Sequence, residues 1–281
     1  MRKYKEKIMQ AMFLLTACVS IAAVALICIY LLGSGIPTIL KIGPANFFGK
    51  VWKPSKNLFG ILPMIVGSIY ATAGAILIGV PIGLLCAIYL SRFCPKPIYR
   101  VLKPAVELMA GIPSIVYGFF GLMVIVPVIQ KLSGTSGKSL LTASILLGIM
   151  ILPTIISVAE SSLNAVPNSY YEGSLALGAT HERSVFSAVL PAAKSGVMSG
   201  VVLGVGRAIG ETMAVIMIAG NQAIMPSGLL KGLRTMTANI VLEMGYASGL
   251  HREALIATGV VLFVFILIIN TCFSLLKRRN G

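Results

Sequence analysis

Apolar residues along this chain gather into six runs, each about as long as the roughly 20 residues a helix needs to cross a bilayer. The runs occupy 12–32, 62–90, 105–129, 140–163, 192–219 and 254–276, with short polar intervals between them. This pattern predicts an all-α integral membrane protein with six transmembrane helices in one domain over 1–281. The first run follows Arg2, Lys3, Lys5 and Lys7, as the core of a secretory leader does. It exceeds the roughly 7 to 15 apolar residues of such a core, and no A-x-A site follows, so it is read as a retained span.

An even number of spans puts both termini on one side. Basic clusters at the two ends, with Arg92, Lys96, Arg100 and Lys103 between spans two and three, make that side the cytoplasm. The predicted outer loops are then 41–60, 131–139 and 221–252. Trp52, the single tryptophan, falls in the first of them and reads as an interfacial anchor.

The polar interval at 168–190 has more local structure than a connection requires. Ser169 and Glu172 have the spacing of a capping box, so a helix is predicted from Tyr170, just after Pro167. Gly178 suits the left-handed residue that ends it, and Thr180 suits the cap of a second helix with Glu182 in its first turn. That helix is expected to reach Leu190 before Pro191 opens the fifth span. Tyr171 and Leu175 share a face at i, i+4 spacing. The elbow reads either as a plain interhelical turn or as a docking site for a soluble ATPase.

Composition agrees with a membrane domain: 57% of residues are apolar and 11% charged, and the mean hydropathy is +0.94. The formal charge of +15 sits mostly on residues flanking apolar runs, where Lys and Arg anchor helices, which argues against nucleic-acid binding. Cys18, Cys28, Cys86, Cys94 and Cys272 lack paired spacing and read as small apolar residues. With only His181 and His251 and no aspartate, a protein-ligated metal site or a catalytic carboxylate dyad has little raw material. Gly137-Lys138-Ser139 ends like a phosphate-binding P-loop, but Leu132 stands where the motif needs glycine, and the segment is a turn between spans.

Span five carries the sharpest chemistry. Gly196, Gly200 and Gly204 repeat every four residues, a stripe for close helix approach within the bundle or against a partner. Arg207 lies near the middle of the run, with Glu211 expected one turn on. A mid-span arginine costs at least about 2.5 kcal/mol to insert and cannot shed its proton, so it must face protein, water or substrate. Gly111-Ile112-Pro113-Ser114 interrupts span three, as a simple kink or as a break lining a cavity. Glu107 and Glu160, near cytoplasmic ends, are expected to pair with basic residues there. Glu243 and His251 fall in the long outer loop, as solvated surface or as contacts to a delivery protein.

Glu172 and Ala176, then Leu177-Gly178-Ala179, then Leu190-Pro191 resemble the cytoplasmic coupling motif of ABC-importer permeases. Phe59 to Pro63, Ala110 to Gly118, Arg207-Ala208-Ile209-Gly210-Glu211-Thr212, Ala219-Gly220-Asn221 and 237–270 are similar to the C-type permease subunits of phosphate ABC importers, over nearly the whole chain. Gly173 departs from the alanine common in the family and loosens the short helix by up to about 1 kcal/mol.

The resemblance implies a type I ABC importer fold in a bacterial or archaeal plasma membrane. It implies pairing with a homologous A-type permease, an ABC ATPase dimer on the elbows, and an extracytoplasmic phosphate-binding protein. It also implies no cofactor in this chain, ATP and Mg belonging to the ATPase, and no catalysis here. Tyr171, Glu172, Leu175, Ala176, Gly178 and Ala179 would couple to the ATPase, while Arg207, Glu211 and Thr212 would line the substrate pathway. Arg207's planar fork suits phosphate oxygens, and Glu211 would hold Arg207 when the pathway is empty and accept a proton-bearing phosphate oxygen when it is filled. The alternative at Arg207 is an internal salt bridge to Glu211 that fixes span five. Alternative functions are a permease for sulfate or molybdate, or a secondary anion symporter.

Overall fold

A computed structural model of the chain describes residues 2–279. The side chains of Arg2 to Lys5 and Lys277 to Arg279, most of the terminal basic clusters, lie outside the described residues. Helix α1 (Arg2–Ile42) runs well past the apolar stretch that marks it and stops where Gly43 takes φ +87°. The short α2 (Pro44–Phe47) leads into a hairpin of β1 (Trp52–Lys53) and β2 (Leu58–Phe59), antiparallel with Trp52 opposite Phe59. The hairpin turns through Pro54–Lys56 and a left-handed Asn57.

The second span, α3 (Leu62–Ile88), continues through a π-turn over Tyr89–Phe93, and the fourth is α7 (Leu140–Asn164). These two form the centre of the molecule. Small residues let them close on each other: Gly74 faces Ser144, Gly79 faces Ile151 and Gly148, and Gly83 faces Ile155. The paired numbers rise together, so α3 and α7 run parallel, with 62 and 140 at one end and 93 and 164 at the other. Ile151, Ile155, Ala159 and Leu163 are buried along α7.

Span three does not begin at Ala105 as the hydropathy suggests. Ile112 and Pro113 are extended and separate α4 (Lys96–Gly111) from α5 (Ser114–Phe120). Proline lacks the amide a continuous helix would use and restricts the residue before it. The crossing segment is α5 with a π-turn at Gly121–Ile125 and α6 (Val126–Ser133), a run of 20 residues over Ser114–Ser133. Helix α4 is amphipathic, buries none of its residues, and is tied to α7 through its polar face. There Glu160, 1% exposed, accepts from Tyr99 Oη (2.7 Å) and Lys103 Nζ (2.6 Å), and Lys103 also meets Glu107 at 3.7 Å. The hydrogen bond to Glu160, with burial second, pushes the Tyr99 pKa up to about 12, so the phenol stays a donor at physiological pH. The expected pairing of Glu107 and Glu160 with basic residues is borne out.

Span five, expected to be continuous over 192–219, is broken twice. Helices α9 (His181–Ser184) and α10 (Leu190–Ala192), joined by a π-turn at Val185–Val189, form one rod bent by 72° at Ala193 from α11 (Lys194–Gly210). Pro191 therefore lies inside the approach rod and does not open the span. The second break, at Glu211 and Thr212, precedes α12 (Met213–Ile218). The glycine stripe packs within the bundle, Gly196 on Ser162, Gly200 on Val158 and Gly204 on Ile155, all residues of α7. After α13 (Met236–Met244), α14 (Gly249–Arg279) returns beside α1. Among the described residues five helices are long and apolar enough to cross a membrane, or six if the bent pair counts as one span.

The long outer loop is a folded cap. Glu243 is 6% exposed and accepts from Trp52 Nε1 (2.9 Å), Arg234 Nη1 (2.6 Å) and His251 Nε2 (2.8 Å). Trp52 is thus a buried partner of a carboxylate and not an interfacial anchor, and Glu243 is not solvated surface. A lone buried carboxylate would be costly, and three donors, two from the same outer segment and Trp52 from the hairpin 191 positions away, offset that cost.

Candidate functional site

Two places gather polar function. The first is the elbow. Helix α8 (Asn168–Ala176) starts just after Pro167, which stands at its N-cap, and no side chain caps it, so the expected capping box is absent: Ser169 lies inside the helix. Proline at the boundary supplies the turn that the cap was expected to supply. At the other end the amide of Gly178 bonds the Leu175 carbonyl (2.9 Å) and that of Ala179 bonds Ser174 (3.2 Å), with Gly178 at φ +84°. This is the left-handed stop expected from the sequence. Thr180 Oγ1 caps α9 by accepting from the Arg183 amide at 3.4 Å, also as expected.

Helix α8 has no buried residue. Tyr171 turns inward, half-buried, and its hydroxyl meets His181 Nδ1 at 2.8 Å while His181 packs edge-on to Phe93. Glu172, Leu175, Ala176 and Gly178 face solvent and Ala179 is half-buried. At the tip stands Leu177, 91% exposed. Its apolar character at a helix end in a polar interval was the available signal, and sequence reasoning used it only as part of the motif. A rigid elbow with an unburied leucine at its tip is fit to enter an apolar groove on another protein.

The second place lies where two interrupted helices meet. Gly118 of α5 lies so close to Ala214 of α12 that a β-carbon there would come within 2.8 Å of its Cα. The break before α12 is well satisfied. Glu211 Oε1 accepts from the amides of Thr212 (3.0 Å) and Ala214 (3.2 Å), Thr212 Oγ1 donates to the Gly210 carbonyl (3.1 Å), and Thr237 Oγ1 donates to the Glu211 carbonyl (3.0 Å). Glu211 is not one helical turn beyond Arg207, because the helix ends between them. No hydrogen bond or ion pair joins the two, so an Arg207–Glu211 salt bridge does not fix span five. The carboxylate is held instead by the backbone it caps.

Arg207 is half-buried in the last turn of α11, and among the described residues its guanidinium makes one hydrogen bond, from Nη1 to Thr154 Oγ1 of α7 at 3.3 Å. Among the described residues, nothing beyond their own helix backbone and chain neighbours comes within 4 Å of where a β-carbon on Gly206 or Gly210 would stand, so this side of α11 is open. Tyr117 of α5 donates its hydroxyl to the Met109 carbonyl (2.8 Å), which ties α5 to α4 across the break in span three. Thr154 was not found from the sequence, where a threonine beside Pro153 in an apolar run carries no distinguishing mark. The arrangement is a guanidinium with most of its five N–H donors unpaired among the described residues, beside a capped helix break, on an open face of a membrane helix.

Residues 79–280 match the family described as the binding-protein-dependent transport system inner membrane component. The chain belongs to this family. Relatives of this permease include the probable ABC transporter permease protein YqgH of Bacillus subtilis, 40% identical, with 92% of this chain and 88% of that protein covered. The phosphate transport system permease protein PstC of Xylella fastidiosa strain 9a5c is 35% identical, over 95% of this chain and 91% of that one. PstC of Mesorhizobium japonicum is 36% identical over 78% and 73%. The permease fold is that of solved type I ABC importers. A bacterial alginate transporter in complex with its periplasmic protein matches with a TM-score of 0.65 at 16% identity, over 95% of this chain and 94% of that one. The MetNI methionine transporter, inward facing, matches with 0.63 at 21%, over 82% and 100%. The resemblance read from the sequence is borne out.

Proposed function

We propose that this permease forms, with a homologous A-type permease, the translocation pathway of an ATP-driven phosphate importer. The reading is supported by curated relatives named for phosphate transport. Arg207 carries it: a membrane-embedded cation with one protein hydrogen bond among the described residues and an open face is built to meet an anion. Glu211 Oε1 is engaged by two amides, which fixes the carboxylate and leaves Oε2 to accept from a proton-bearing phosphate oxygen. Fully ionised sulfate lacks that proton. Thr212 shapes the break beside them.

An ABC ATPase dimer, holding ATP and Mg, docks on the elbow through Leu177 and the exposed side chains of Glu172, Leu175 and Ala176. Catalysis resides there, and this chain needs no cofactor. An extracytoplasmic phosphate-binding protein delivers substrate at the opposite end, and both termini lie in the cytoplasm of a bacterial or archaeal cell. The test is uptake of labelled phosphate against labelled sulfate by the reconstituted complex. Uptake of phosphate that needs ATP, the ATPase and the binding protein is the expected result. Uptake without the ATPase would make the protein a symporter, and a preference for sulfate would overturn the substrate assignment.

A further inference from the structure

The end of the bundle opposite the elbow carries a charged surface that neither Arg207 nor the elbow uses. Residues 43–60 contain three lysines and no acid. Lys50, Lys53 and Lys56 are all exposed, and none makes an ion pair among the described residues. The two acids nearest in the fold are already taken: Glu243 is buried under Arg234, His251 and Trp52, and Glu253 pairs with Lys41 at 3.3 Å. The positive charge of the hairpin is therefore uncompensated by its own chain.

The hairpin is also stiff. Trp52 and Phe59 pack edge to face with ring centres 5.8 Å apart, Phe59 stacks on His251 at 6.1 Å, and Trp52 Nε1 is fixed on Glu243. The amide of Gly60 bonds the Val51 carbonyl, and that of Ile61 bonds Phe47. Beneath lie Met64 and Met236, from the first turns of α3 and α13, and Leu255, from the second turn of α14, so the hairpin sits on the ends of these helices and not beside them. Phe48, Val51, Leu58 and Tyr246 stand exposed around it, Tyr246 at 70%. A cavity of about 530 Å³, lined among others by Asn57, Tyr246, Ser248 and His251, opens next to the turn.

We infer that the hairpin 50–58 with Tyr246 is a docking surface for a soluble protein presenting acidic side chains around an apolar spot, namely the delivery protein of the importer reading on which this inference rests. Charge complementarity sets the sign of the partner. The position on the helix ends, facing along the bundle axis, favours a soluble protein over lipid headgroups, which lie around the bundle. Rim charges of this kind act on encounter and its salt dependence more than on the chemistry that follows.

The test uses the complete reconstituted complex and purified delivery protein, with the variant Lys50→Glu/Lys53→Glu/Lys56→Glu. The concentration of delivery protein giving half-maximal stimulation of ATP hydrolysis should rise about tenfold or more. The maximal rate should stay within about twofold of the parent, and the salt dependence should flatten or reverse. The triple Lys→Gln variant should fall between the two. Unchanged half-saturation in a complex of normal stoichiometry overturns the inference. So does loss of co-purifying anionic lipid with half-saturation unchanged, which would assign the lysines to headgroups. If the parent complex works without any delivery protein, the importer reading itself fails, a result distinct from both.

Discussion

Arg207→Gln tests the pathway reading most directly, because the structure separates its consequences. The substitution removes the guanidinium's charge-assisted hydrogen bonds to an anion, each worth about 1.5–3 kcal/mol. At about 1.4 kcal/mol per decade, losing one of them slows uptake at low phosphate roughly 10- to 100-fold. Folding should be unaffected or slightly favoured. Glutamine is cheaper to hold in a membrane, and Glu211 loses nothing, since its Oε1 is bonded to the amides of Thr212 and Ala214 and not to Arg207. Arg207→Lys should be intermediate, keeping charge and losing the fork. Glu211→Gln should do less harm, because an amide oxygen can still cap α12. With no Arg207–Glu211 bond to restore, the double substitution should not recover transport. The assay is phosphate uptake in proteoliposomes with subunit stoichiometry checked. Uptake by Arg207→Gln within about threefold of the parent, or rescue by the double variant, refutes the reasoning.

Other changes separate docking from folding. Leu177→Asp should abolish coupling of ATP hydrolysis to uptake while altering stability by less than about 0.5 kcal/mol, because the side chain is 91% exposed; thermal unfolding and ATPase stimulation check the two halves. Gly178→Leu forces a side chain into φ +84°, at a cost of about 1–2 kcal/mol local to the turn, and should uncouple without blocking insertion; normal stimulation by that variant would speak against docking. Thr154→Val should raise the phosphate concentration for half-maximal uptake a few-fold and leave the maximal rate near normal, with Thr154→Ser restoring it, if its hydroxyl aims Arg207. Trp52→Phe leaves the buried Glu243 one donor short and should lower stability by about 1–3 kcal/mol, read as a lower Tm of the outer cap.

Much of the fold was legible because lipid enforces a simple rule: backbone polar groups must be paired within the segment, so long apolar runs become helices. Runs two and four agree closely with α3 with its π-turn and with α7. Run one does less well, since residues that lengthen α1 beyond 32 are mixed in character and remain helical until Gly43 stops them. Gly178 and Thr180 were readable because a left-handed stop and a helix cap each depend on one residue and its immediate neighbours. Ser169 misled for the same reason: its spacing to Glu172 satisfied the pattern, but Pro167 started the helix first.

What could not be read depends on contacts between residues far apart in the chain. The break at Glu211 and Thr212 is flanked by apolar residues, so hydropathy averages across it, and its stabilising bonds include Thr237, 26 positions away. The partners of Glu243 stand at 52, 234 and 251, and nothing in a polar loop marks one glutamate as buried. Sorting the charges by their partners then narrows function in a way composition cannot. Glu160 and Glu243, which read as ordinary loop or interface acids, prove to be held inside the protein. Arg207, which read as a pathway cation or, alternatively, as half of an ion pair with Glu211, makes one hydrogen bond among the described residues, to a neutral hydroxyl. A cation kept at a helix break in the membrane, next to an acid already committed to capping that break, serves the internal stability of the bundle poorly. On the proposed function its cost is the standing cost of an anion pathway, and Arg207→Gln tests that directly.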